Sequence, residues 1–213
     1  MIVNGCEMDT ASPFSIPIGA AKIPQDICDE LKKYKGMIQN QTEQNKLDPS
    51  NVNFTILDKN LEIKKALTNI FAAWINNILG YHYDWLITTS WITENQEGKA
   101  MTMHNHRNCL FSGVLYFDTC TEEHPPLCFR NPILEQLNSG WFIESKEDNP
   151  FTKLIYEAPY KEGLMLFFPS YLQHFHQPFK ESSVSRKSLA CNFFPVGEFG
   201  TGNDSSLNTN WFK

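Results

Sequence analysis

Three of the six histidines in this 213-residue chain stand at spacings that suit a metal ion. His104 and His106 close the segment Gly98-Lys-Ala-Met-Thr-Met-His-Asn-His106, and His174 closes Gly163-Leu-Met-Leu-Phe-Phe-Pro-Ser-Tyr-Leu-Gln-His174. Residues two apart on an extended chain project to one face, so His104 and His106 lean together while Asn105 points away. Neutral imidazole binds iron, zinc, copper and nickel, and two such ligands leave most coordination positions open. His174 is the natural third donor, and His176, on the same face, is an alternative to it. A lone histidine is more often a hydrogen-bonded core or surface group, and His82 and His124 are expected at the surface because neither has a partner at ligand spacing.

Arg186-Lys-Ser188 adds chemistry of another kind. Strand alternation puts Arg186 and Ser188 on one face with Lys187 outward, ahead of the apolar strand Leu189-Ala-Cys-Asn-Phe-Phe194. A buried guanidinium is costly unless an anion meets it, and its planar fork suits the two oxygens of a carboxylate. Ser188 can add a hydroxyl donor to the same group. The plainer reading is that Arg186 ends the loop Glu181–Ser185 in water and pairs with nothing.

The elements that must position these groups are legible in outline. Trp85–Thr93 and Phe111–Phe117 are rich in aromatic and β-branched residues, and Leu164–Phe168 is almost wholly apolar, so all three read as strands. Pro169 stops its strand just before His174. Upstream, residues 13–23 read as an opening strand and 25–38 as a helix. Residues 40–51 read as a polar loop, and 59–79 as an amphipathic helix with Leu67, Ile70, Phe71, Trp74, Ile75 and Ile78 on one stripe and Asp58 as its cap. Turn-rich breaks between 119 and 160 read as rim loops, where specificity is expected. The last residues are rich in glycine, asparagine and serine and read as a mobile tail, with Trp211-Phe212 able to tack it back.

A chain of this length with 41% hydrophobic and 13% aromatic content can bury one substantial core, so a single domain over 1–213 is expected. A formal charge of −6 carries no strong nucleic-acid signal. The expected partner is a small molecule or peptide, with oligomeric state open. No segment has the apolar length of a membrane span and the start lacks signal-peptide character, so a cytoplasmic location is expected. The six cysteines show no C-x-x-C spacing and read as reduced structural thiols.

From about Trp91 to Trp211 the chain resembles the 2-oxoglutarate and Fe(II)-dependent oxygenases of the prolyl-4-hydroxylase-like superfamily, in particular members from bacteria and cyanobacterial phages. The segments that carry the likeness are Ser90–Thr93, Gly98, Met103–Asn108, Phe111–Phe117, Phe167–His174, Arg186–Phe193 and Phe194–Gly197. The resemblance implies an α+β, mainly β fold: a double-stranded β-helix (jelly roll, cupin-like) with N-terminal supporting helices. These would occupy about 1–80, the β-helix core about 81–196 and the flexible tail 197–213. It implies Fe(II), 2-oxoglutarate and O2 as cofactors, with ascorbate as an optional reductant, and the host cytoplasm as location if the chain is phage-encoded. His104 and His174 correspond to iron ligands and Arg186 to the cosubstrate anchor. Asn108, Tyr116 and Asn192 are candidate contacts to the cosubstrate or to the ligands. The implied reaction hydroxylates a C–H bond and converts 2-oxoglutarate to succinate.

His106 departs from the family pattern, standing where a carboxylate would complete a two-histidine, one-carboxylate triad. Three readings remain open: a true third ligand, a neighbour of a water in that position, or a site for another metal. Asp118 and Glu94 are the carboxylates nearest in the strand plan. Gly98-x5-His-x-His with Gly163-x5-Pro-x4-His174 also matches much of the cupin signature, although Leu110 and Phe111 stand where a cupin glutamate is expected and Tyr171 where a glycine is. A cupin-type metal protein and a degenerate, non-catalytic binding module of the same fold are therefore the rival readings. Fold does not choose a substrate.

Overall fold

The computed structural model describes residues 2–3, 6–7, 14–34, 38–39, 54–95, 97–137, 140–141, 144–179, 184–200 and 206–210. The expected loop over 40–51 and the Trp211-Phe212 tack lie outside them. Short strands β1 (Ile2–Val3) and β2 (Cys6–Glu7) pair with each other. They are followed by β3 (Gly19–Lys22), α1 (Gln25–Lys32), β4 (Ile38–Gln39), a 3-10 turn (Ile56–Lys59) and α2 (Leu61–Asn77). The strands β5 (Asp84–Asn95), β6 (Met101–His104), β7 (Phe111–Leu115) and β8 (Cys128–Arg130) come next, then α3 (Pro132–Leu137). The chain continues through β9 (Ile155–Glu157), β10 (Leu164–Pro169), β11 (His174–His176), β12 (Arg186–Val196), β13 (Glu198–Phe199) and β14 (Leu207–Asn208).

Two sheets make the body. The larger runs β3-β10-β7-β12-β5-β4 and the smaller β6-β11-β8-β9, in a mainly β jelly roll. The N-terminal region is not only helical, because β3 and β4 complete the edges of the larger sheet.

Both faces of the larger sheet are covered, which is why its strands read as nearly continuous apolar runs. Phe111, Leu115, Met165, Phe167, Leu189 and Phe193 point to the α2 side, where Leu67, Phe71 and Ile75 fill a core. Phe71 stacks on Phe193 with centroids 3.9 Å apart and meets Trp85 edge-on at 5.1 Å. The alternate residues Val114, Tyr116, Leu166 and Phe168 face the smaller sheet and pack with Leu127, Phe129 and Leu172.

Helix α2 begins two residues later than its periodicity suggests, because the 3-10 turn takes up Ile56–Lys59. Asn60, not Asp58, therefore caps it by accepting from Ile63 N at 3.1 Å, while Asp58 pairs with Lys64. The described part of the tail is a hairpin of β13 and β14, beside which buried Thr209 donates to the Pro195 carbonyl.

Candidate metal centre

The register of β6 with β11 places the metal-type donors. His104 ends β6, His174 opens β11, and the two are direct cross-strand partners. His106 lies just past the strand end, where its N–H donates to Ser170 O at 3.0 Å and Asn105 Nδ2 reaches Tyr171 O. Ligand atoms of His104, His106 and His174 all lie within 4.8 Å of one another.

What each imidazole does with its other nitrogen decides whether a cation fits between them. His104 Nδ1 is 2.8 Å from Thr102 O, and His174 Nδ1 is 2.9 Å from Leu172 O. A carbonyl only accepts, so both Nδ1 atoms carry the proton and both Nε2 lone pairs are free. His106 Nδ1 donates to Asn192 Oδ1 at 2.7 Å and lies 2.9 Å from Ser112 Oγ. The Asn192 amide is oriented in turn by its Nδ2 donating to Thr89 Oγ1 at 2.8 Å. His106 Nε2 then faces His104 Nε2 at 3.3 Å, lone pair to lone pair. That contact is repulsive without a cation and natural for two ligands with bonds of about 2.0–2.1 Å. Burial holds all three imidazoles neutral, with His106 lowered to about 4 and His174 well below its ordinary value. The donor set fits a divalent ion.

Below the imidazoles a narrow cavity is floored by β5 and β12. Arg186 pairs with Asn95, Ser188 with Thr93, Ala190 with Trp91 and Asn192 with Thr89. The first three of these pairs line the cavity together with the three histidines. Arg186 is only 2% exposed; its Nε donates to Pro125 O at 3.3 Å, and its Nη2 has no partner. Its guanidinium lies against the edge-on pair of Tyr116 and Tyr160, 5.4 and 5.1 Å from their ring centroids. Burial pushes the Tyr116 phenol up to about 12 and that of Tyr160 higher still, against the pull of Arg186, so neither ring supplies a counter-charge. No carboxylate among the described residues pairs with Arg186. A buried cation left in this state calls for an anionic ligand.

Several sequence-level expectations land elsewhere. Asn108 is exposed in a left-handed turn at φ 60° and does not line the cavity. Asn192 stands behind His106, and Tyr116 beside Arg186 with its hydroxyl buried and unpartnered. Glu94 and Asp118 both face Lys187, at 3.8 and 3.1 Å, rather than the three histidines. His176 turns its Nε2 to Asn95 Nδ2 at 2.9 Å. His82 is exposed as expected, but His124 is buried, with Nε2 2.7 Å from Val184 O and Nδ1 3.1 Å from Tyr160 Oη. Residues 122–126, expected as a rim loop, include Pro125, whose carbonyl packs behind Arg186. Sequence reasoning missed Thr89, Trp91, Asn95, Ser112 and Ser170. The only signal for them was a polar or oversized residue in an otherwise apolar strand.

Comparison with known proteins agrees with this geometry. Residues 89–192, which begin and end on the Thr89 and Asn192 pair, match the sequence profile of the family described as "Putative 2OG-Fe(II) oxygenase". Over this span the chain is similar to the 2-oxoglutarate and Fe(II)-dependent oxygenases. The fold is shared with EctD from S. alaskensis in its apoform, at 13% identity and TM-score 0.55 over 88% of this chain and 79% of that one. HygX from Streptomyces hygroscopicus, solved with nickel and 2-oxoglutarate, gives 11% identity and TM-score 0.53 over 84% and 82%. The viral collagen prolyl hydroxylase of Paramecium Bursaria Chlorella virus-1 gives 11% and 0.50 over 88% and 96%. No curated protein matches the chain. The chain carries three imidazoles at the place where its resemblance implied two and a carboxylate. No helix among its described residues is long and apolar enough to cross a membrane.

Proposed function

We propose that this chain is an oxygenase that holds Fe(II) on the Nε2 atoms of His104, His106 and His174 and binds 2-oxoglutarate with its distal carboxylate on Arg186 and Ser188. It hydroxylates a C–H bond of a peptidyl, amino-acid or other small substrate. One oxygen atom of O2 goes to the new hydroxyl and the other to succinate, with loss of CO2. Bound iron supplies the oxygen chemistry, and ascorbate serves only to keep the ion reduced. Unpaired thiols, five among the described residues, suit a reducing cytoplasm.

The observation that carries this reading is the pairing of three converging lone pairs with a buried, uncompensated guanidinium in one cavity. The protein's part is to position, balance charge and exclude water. Thr102 and Leu172 carbonyls and the Asn192 amide fix the three tautomers. Arg186 orients the dicarboxylate through two oxygens. With no anionic protein ligand, the metal's charge is balanced by the bound cosubstrate.

Anaerobic titration with Fe(II) and then 2-oxoglutarate tests the proposal. The expected result is a weak visible charge-transfer band that appears only when both are present. Arg186→Ala should need far more 2-oxoglutarate to develop it, and His106→Ala should lose or displace it. A protein that binds metal but gives no band is a cupin-type module, and one that binds neither is a non-catalytic relative; either outcome overturns the proposal.

A further inference from the structure

Trp91 is the one large residue on the floor of the cavity whose polar atom the site described so far does not use. It is 7% exposed, lines the same cavity as the three histidines and Arg186, and its indole Nε1 is buried without a partner. Its ring is held on two sides, edge-on to Phe54 at 5.8 Å and tilted against His106 at 5.4 Å. Directly across the strand pair stands Ala190, whose methyl leaves space beside the indole where a larger side chain would fill it. Among the polar neighbours on the same floor, Asn192 and Thr89 hold each other, and Asn95 Nδ2 meets His176 while its Oδ1, four residues along the strand from Trp91, is buried without a partner.

An indole nitrogen can only donate, and a buried one normally finds an acceptor. The imidazole lone pairs face one another and the Asn192 oxygen takes up His106 and Ser112, so neither of these neighbouring groups meets it. We infer that the Trp91 indole N–H is a binding group for the anion at the three-imidazole centre, donating to the carboxylate of the 2-oxo acid nearest the metal. This rests on the functional reading above and adds a second anchor: Arg186 takes the distal carboxylate and Trp91 the proximal one. Because the imidazoles bring no negative charge, an oriented neutral donor can hold that carboxylate without competing for the ion.

The test uses the full chain loaded with Zn(II), which is diamagnetic and suits a three-imidazole site. Indole N–H resonances of the five tryptophans are followed as 2-oxoglutarate is added, with Trp91 assigned through its contacts to Phe54 and His106. The Trp91 signal should move downfield to saturation. Trp91→Phe, which keeps a ring but removes the N–H, should weaken 2-oxoglutarate binding about 10-fold, as expected for one hydrogen bond to a charged acceptor, with Zn(II) affinity unchanged. A stationary Trp91 signal in a protein whose other resonances report binding overturns the inference and leaves the functional reading intact, whether or not the variant folds. If no resonance responds to 2-oxoglutarate, both fall.

Discussion

What stands behind His106 fits it for the ligand role proposed. Its Nδ1 meets an amide whose other end is tied to Thr89, so the proton stays on Nδ1 and the lone pair on Nε2. Groups placed this way commonly affect metal affinity by 10- to 100-fold. Asn192→Ala should therefore lower Zn(II) affinity by about 10- to 100-fold in competition with a chromogenic chelator. Thr89→Val, which removes only the group that orients the amide, should give a smaller loss in the same assay. Equal affinity in all three proteins would show that His106 is not held through this relay. His104, His174 and Arg186 were legible in the sequence because their spacings are local. Asn192 could be named but not assigned, since its partner Thr89 is 103 residues away. The role proposed for Trp91 was invisible, because an aromatic residue in an apolar strand reads as packing until the strand opposite it is known.

Elements carry the site by fixing the register of β12. Phe193, next to Asn192, lies under Phe71 of α2 at stacking distance, so the helix presses on the strand that holds both Asn192 and Arg186. The irregularity between Asn192 and Phe193 lies at that same contact. Phe71→Ala should cost about 3–5 kcal/mol in urea unfolding, the range for emptying a buried aromatic site. A loss below about 1 kcal/mol would mean that α2 covers the sheet without organising it. The apolar stripe of α2 predicted this helix and its buried face well. Its start was missed because a 3-10 turn obeys no helical periodicity; the strand expected over 13–23 contains β3, whereas β4 was missed because a strand of two residues at a sheet edge carries little pattern.

Across the whole molecule, the cavity trades stability for binding. Arg186 is desolvated, and among the described residues it is met by a carbonyl and two aromatic faces. Replacing a buried charge by an apolar side chain of similar reach is often neutral or stabilising, whereas a ligand that binds only the folded state stabilises by about 2.7 kcal/mol at 100 times its Kd. Arg186→Met should therefore unfold at the same or higher urea concentration than the unmodified protein when both are free of ligand. With Zn(II) and 2-oxoglutarate present, the order should reverse. The unmodified protein gains stability with each increment of 2-oxoglutarate, while the variant gains from Zn(II) and little more. If Arg186→Met instead unfolds earlier without ligand, the guanidinium is a structural group satisfied by Pro125 and its two tyrosines. The unpaired Nη2 would then no longer point to a dicarboxylate.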